Sequence, residues 1–159
     1  MSNDLQIRPL RSDEVNLLDE FLYQAIFIQK GVEPPPRNIL EKPDLQVYIG
    51  DFGKYETDNA LAAELDGRVV GAVWTRIMDD YGHIDDETPS FAISLLPEYR
   101  SQGIGTKLMQ NMLNLLKEKG FMQASLSVQK ENYATNLYLK LGFKIISENT
   151  EEYLMLINL

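Results

Sequence analysis

The stretch that most constrains the fold is Phe91 to Lys119, FAISLLPEYRSQGIGTKLMQNMLNLLKEK. Phe91, Ile93 and Leu95 alternate with smaller residues, the period of a half-buried strand. Pro97 stops that strand because it fixes φ and has no N–H to donate. Ile104, Leu108, Met112, Leu115 and Leu116 then recur at the spacing of one helix face. Lys117 and Lys119 suit the negative end of the helix dipole, and Gly120 suits the residue just past it. Between strand and helix lies Arg100-Ser101-Gln102-Gly103-Ile104-Gly105-Thr106.

That turn has a chemistry of its own. The first turn of a helix carries N–H groups with no intrahelical partner. Gly103 and Gly105 lack a Cβ, so an anion can approach the backbone closely, and Arg100 adds a forked cation. Two readings stand side by side on spacing alone: a phosphate cradle, or a sharp turn that needs glycine for packing. A P-loop is excluded, because Gly105 leads into Thr106-Lys107, the reverse of the required order. A dinucleotide fingerprint would need a third glycine where Leu108 stands.

Arg-x-x-Gly-x-Gly after a Pro-terminated strand and before an amphipathic helix resembles the pyrophosphate loop of the GNAT superfamily of acyl-CoA-dependent N-acetyltransferases. A second block, Asn132, Ala134, Leu137, Tyr138, Gly142 and Phe143, is similar to the family's second acyl-CoA block. The resemblance implies acetyl-CoA as co-substrate, with the backbone of Ile93, Ser94 and Leu95 along the pantetheine arm. It implies Arg100, Ser101, Gln102, Gly103, Ile104, Gly105 and Thr106 around the pyrophosphate, and Asn132 touching the cofactor. It also implies that the Tyr138 hydroxyl protonates the departing thiolate, in direct attack within a ternary complex. A phenol suits that task; on residue type alone, Tyr138 would equally be a core aromatic.

The remaining elements follow in order. Leu5–Leu10 alternates as a strand, and Val15, Leu18, Phe21, Leu22, Ala25 and Ile26 mark a helix expected from an N-cap at Ser12 to about Lys30. Three prolines at 34–36 hold an extended link. One or two short helices are expected between Ile39 and Phe52. In the resemblance this region borders the acceptor, which places Phe27, Glu33, Pro35 and Arg37 near the amine; a stiff surface linker is the other reading. Asp66-Gly67 between apolar runs predicts a type I′ hairpin, and Gly71 a bulge or close backbone contact. Strands are expected at 123–128, 143–146 and 153–157, and a short helix after an Asn132 cap, ended by Gly142. The order β-α-(α)-β-β-β-α-β-α-β-β predicts an α/β (α+β) fold: one domain over 1–159, a mixed, partly parallel sheet and helices on both faces.

Composition narrows the function. The chain has 159 residues, no cysteine, one histidine and a net charge of −9. The charge argues against nucleic acid and favours amines, and equally serves solubility. No apolar run reaches the roughly 18 residues of a membrane span, and no signal pattern opens the chain. Absent cysteines fit a cytoplasmic protein and exclude a thiolate nucleophile. The loop 78–89 gathers acids around His83, but its spacing matches no metal site, so no metal is expected. As a rim for an amine it would supply a proton acceptor; as a solvated loop it needs no function. Some family members carry Glu where this chain has Ser127. The base therefore falls among Glu64, His83, Asp85, Glu87 and water. The acceptor expected is a small-molecule or protein amine, and a homodimer through an exposed strand edge is a further expectation. A non-catalytic acyl-CoA-binding domain is the alternative.

Overall fold

The structure is a computed structural model that describes residues 4–26, 28 and 30–159. Seven strands form one sheet: β1 (Leu5–Pro9), β2 (Asn59–Leu65), β3 (Arg68–Arg76), β4 (Ser90–Leu95), β5 (Gln123–Gln129), β6 (Lys144–Glu148) and β7 (Glu152–Asn158). Their spatial order is β1-β2-β3-β4-β5-β7-β6. The helices are α1 (Leu17–Ala25), α2 (Pro43–Ile49), α3 (Ile104–Glu118) and α4 (Ala134–Leu141).

Alternation along each strand divides the core into two layers. On β3, Val73 faces the layer built on Leu108, Met109, Met112 and Leu116 of α3, with Phe143 and Met155. Ala72 and Trp74 face the other layer, which holds Leu18, Phe21 and Leu22 of α1. The Trp74 indole donates to the Tyr48 carbonyl at 3.0 Å and ties α2 to the sheet.

Local chemistry accounts for the turns. Asp66 and Gly67 both have positive φ, 53° and 85°, as a type I′ turn requires. Gly71 fits both expectations made for it. The β2–β3 register slips between Ala63 and Glu64, leaving Val70 as the extra residue. A Cβ at Gly71 would stand 2.2 Å from Leu95 Cδ2 and 3.1 Å from the Ser94 carbonyl, so a side chain there would have to displace Leu95 and crowd the β4 backbone.

The first helix is shorter than its apolar stripe predicts. Residues Ser12–Glu14 form a tight 3₁₀ turn, and α1 begins at Leu17 rather than after an Ser12 cap. The Glu14 carboxylate is the reason: it accepts the Arg11 N–H at 2.9 Å and is gripped by Arg8 on β1 at 2.8 and 2.9 Å. At the other end Ile26 is already extended, well before Lys30.

The sheet is less parallel than the element order implies. Only β4 and β5 run parallel, and they pair at a single position, Ser90 with Ser125. Beyond it the two strands part. One edge of β4 past Ser90 is left without a strand partner, and the gap opens between α1 on one side and α4 on the other.

Candidate active site

Two cavities occupy that gap. The larger, about 710 Å³, is lined by Ile93, Ser94, Leu95, Arg100, Gly105, Asn132 and Tyr138, with Pro34, Pro35 and the end of α1 opposite. The smaller, about 290 Å³, runs between β4 and β5 toward α2 and includes Tyr48, Ser127, Gln129 and Glu152. They share Ala25, Ile26, Ile93, Asn132 and Tyr138. Tyr138 therefore stands where one cavity opens into the other.

The larger cavity ends at the glycine turn. Ser101 has φ 62° and Gly103, which precedes α3, has φ 86°. The first bond of α3 runs from the Lys107 N–H to the Gly103 carbonyl at 3.3 Å. No side chain caps the helix. The N–H groups of Ile104, Gly105 and Thr106 stay unpartnered among the described residues, a local field that favours an anion. Gly105 is not required by packing: its Cβ would meet only Leu95 Cδ1 at 3.7 Å, with Ile93 and Leu137 methyls at 4.0 Å. Space beside those N–H groups is thus kept open without need from the fold. The side chains of the turn divide. Ser101, Gln102 and Gly103 are exposed, Thr106 is half-buried and Ile104 points into the core. Gln102 Nε2 donates to the Glu98 carbonyl at 3.1 Å.

Arg100 has a second task beside the one its charge implies. Its guanidinium donates to the Leu95 carbonyl at 3.1 Å and to the Gln24 carbonyl at 3.0 Å, pinning the end of α1 to the end of β4. Along β4, the buried Ser94 Oγ has no hydrogen-bond partner among the described residues. Asn132 Oδ1 accepts the Ala134 N–H at 2.9 Å and so starts α4 as its residue type predicts, leaving its amide N–H₂ without a partner among the described residues at the cavity wall. Tyr138 is 7 % exposed and packs edge-on against Phe143 at 6.1 Å. Burial pushes its hydroxyl up to about 12, so the phenol is protonated and available to donate at neutral pH.

The base candidates do not gather here. Glu64 sits on β2, bound to Arg8 at 2.9 Å, toward the far edge of the sheet. Asp85 is committed to its own loop, accepting from the Glu87 N–H at 2.9 Å and the Thr88 hydroxyl at 2.8 Å, and those bonds hold its pKa down. Glu87 is exposed, and His83 lies 3.9 Å from Asp86; neither lines either of these two cavities. Of the residues expected near the amine, Pro35 lines the larger cavity, whereas Arg37 pairs with Glu20 at 2.5 Å and covers the Tyr23 ring at 4.0 Å. Glu33 is exposed, and Phe27 lies outside the described residues.

Other groups take their place. From the loop 78–89, Asp80 turns inward, with Oδ1 accepting from Ser90 Oγ at 3.1 Å. It faces Tyr48 of α2, and burial raises both their pKa values. Across the cavity Glu152, on β7 opposite Gln129, is also shifted up, first by burial and then by Glu151 and Asp80. Sequence reasoning missed Glu152 and Tyr48: one looked like a solvated turn and the other like a helix core residue. No sequence signal marks Glu152; the register places it two residues from Leu154, the partner of Ser127.

Comparisons with known proteins identify the family and the fold. The model of the acetyltransferase (GNAT) family matches residues 24–143. The chain belongs to the GNAT family. An uncharacterized N-acetyltransferase from Archaeoglobus fulgidus is 29% identical over 136 residues, covering 81% of this chain and 85% of that protein. The probable N-acetyltransferase camello of Xenopus tropicalis is 40% identical over 83 residues, 52% of this GNAT chain; the match spans only 36% of the camello protein. Among solved structures, the PaiA N-acetyltransferase of Thermoplasma acidophilum in complex with coenzyme A superposes with a TM-score of 0.73 at 21% identity, covering 100% of both chains. That likeness establishes the fold. Among the described residues of this GNAT protein, no helix is long and apolar enough to cross a membrane, and no group of acids and histidine is arranged to hold a metal.

Proposed function

We propose that this chain transfers the acetyl group of acetyl-CoA to a primary amine by direct attack in a ternary complex. The observation that carries this reading is the meeting of two cavities at the Tyr138 side chain. One holds an unpartnered strand edge and a free helix N-terminus. The other leads from Tyr138 to the Glu152 carboxyl group. A cavity of about 710 Å³ falls within the roughly 300–1,000 Å³ of small-molecule and cofactor sites.

In this reading β4 from Ile93 to Leu95 supports the pantetheine arm through its free edge. The first-turn N–H groups of α3, with Gly103, Gly105 and Arg100, hold the pyrophosphate. The Asn132 amide donates to the cofactor from the shared wall. Bound acetyl-CoA supplies an activated acyl thioester. Tyr138 donates its proton to the sulfur as negative charge develops there, a positioned transfer typically worth about 10²–10⁴-fold. An alkyl ammonium with a pKa near 10.4 must also lose a proton, a deficit of about 4.6 kcal/mol at pH 7. The acceptor end of the cleft must offset that cost.

Acetyl-CoA is titrated calorimetrically into wild type and Tyr138→Phe, and free thiol is followed with a panel of amines. Binding by both proteins, with turnover lowered about 10²-fold or more in the variant, supports transfer with Tyr138 as acid. Equal turnover would remove that role. Failure of acetyl-CoA to bind wild type would remove the whole reading.

A further inference from the structure

The acceptor cavity presents a carboxylate and no cation. Glu152 lines it beside Tyr48, Ser127 and Gln129, and no Lys, Arg or His is among the lining residues. Its Oε1 accepts from a neutral donor, Gln129 Nε2, at 3.1 Å. Facing it from the loop 78–89, Asp80 Oδ2 is buried without a hydrogen-bond partner among the described residues. Lys130, adjacent in the chain to Gln129, is engaged with Glu148 at 2.8 Å. Carboxylates partly withdrawn from water and left without a cation favour either a proton or a bound cationic group.

We propose that Glu152 receives the ammonium group of the acceptor and takes its proton. This rests on the transferase reading above and adds the residue that completes it. The acceptor R–NH₃⁺ gives one proton to the Glu152 carboxylate, leaving neutral R–NH₂ and a carboxylic acid. The nitrogen lone pair forms the C–N bond as the thioester C–S bond breaks. Sulfur takes its proton from Tyr138, and the second nitrogen proton restores the phenol. Glu152 returns its own proton to water when product leaves.

The surroundings of Glu152 make it a stronger proton acceptor than an ordinary carboxylate. Burial, the adjacent Glu151 and the facing Asp80 all raise its carboxyl. Tyr48 from α2 and Tyr138 from α4 are the other titratable groups lining the cavity, both protonated at neutral pH. A carboxyl raised toward the working pH is better matched to accepting an amine proton than one in the ordinary range. Asp80 acts through Glu152: it is a positioning residue that does not line the cavity.

Carboxyl NMR of the full chain labelled with ¹³C-glutamate tests this directly. The Glu152 resonance is the one missing in Glu152→Gln, and it is followed against pH and against propylammonium chloride. It should titrate above the other glutamates and move with propylammonium, and Asp80→Asn should lower its midpoint. An ordinary midpoint with indifference to propylammonium overturns the proposal, whether or not propylamine is turned over. Where propylamine is acetylated, Glu152→Gln should bind acetyl-CoA as wild type does, lose about 10²-fold or more in kcat/KM, and lose the acidic limb of its pH profile. Retention of both the rate and the limb overturns it. Loss of acetyl-CoA binding by wild type strikes the transferase reading instead, and the NMR titration then still decides whether Glu152 is a cation site.

Discussion

Gly105 separates what the fold needs from what a ligand needs, so its substitution has two opposite expected readouts. In Gly105→Val, the new Cβ meets methyl groups at 3.7–4.0 Å, ordinary van der Waals contact, and the γ methyls can turn toward the cavity that Gly105 lines. Each such contact contributes about 0.1–0.2 kcal/mol. Valine is a better helix residue than glycine by about 0.3–0.5 kcal/mol, less at this second helical position. Stability should therefore stay within about 0.5 kcal/mol of wild type, a melting shift under about 2 °C for a chain of this size. The same side chain crowds the first-turn N–H groups of α3. A pyrophosphate that forfeits two charge-assisted hydrogen bonds loses at least about 3 kcal/mol, or roughly 100-fold in Kd. Gly105→Ala is the intermediate step, and Gly71→Ala the inverse control, because its Cβ would collide with Leu95 Cδ2 at 2.2 Å. Thermal melts and acetyl-CoA calorimetry on the three variants give both readouts. A folded Gly105→Val protein that binds acetyl-CoA normally would show that the turn faces elsewhere. A strongly destabilised one would show that packing, not ligand access, sets the glycine.

Two further outcomes concern the arginines. Arg100→Ala should weaken acetyl-CoA binding more than acceptor binding and cost about 0.5–1.5 kcal/mol of stability, since water can replace the donors to the exposed carbonyls of Leu95 and Gln24; unchanged cofactor affinity in calorimetry would leave the arginine only its bracing role. Arg8 and the Arg11 N–H hold the Glu14 carboxyl down, at about 2 against an ordinary 4.5. A depressed carboxyl contributes stability above its unfolded pKa and loses it as pH falls through the folded one, so this contribution should fade between pH 4.5 and 2. After discount for solvent screening it amounts to about 1–2 kcal/mol at pH 7. Urea denaturation of wild type and Glu14→Gln should show that gap at pH 7 and converge near pH 2; a gap independent of pH would refute the ionic account.

Much of this protein is legible from local chemistry. Asp66-Gly67 makes its turn because both residues tolerate positive φ, and Gly142, at φ 110°, ends α4 for the same reason. Asn132 caps the N–H two residues on, and the α3 stripe buries Leu108, Met112 and Leu116 as its spacing requires. Where the sequence misleads, distant groups intervene. The first helix loses its expected start because Arg8 on β1 draws Glu14 into a different turn.

The acceptor site shows the same division more sharply. The glycine turn and Tyr138 stand out in sequence because each depends on residues within one turn of helix. No such signal marks Glu152 against Glu64 or Glu87, because a carboxylate's chemistry is set by what lies across from it. Only the tertiary structure gives Glu64 an arginine and Glu152 a neutral amide. It also decides that β4 and β5 part after one pair, which creates the gap. Strand, turn and helix are written in neighbours a few residues apart; a cavity and the ionisation of its walls depend on segments the chain brings together from residues 48, 80, 127 and 152.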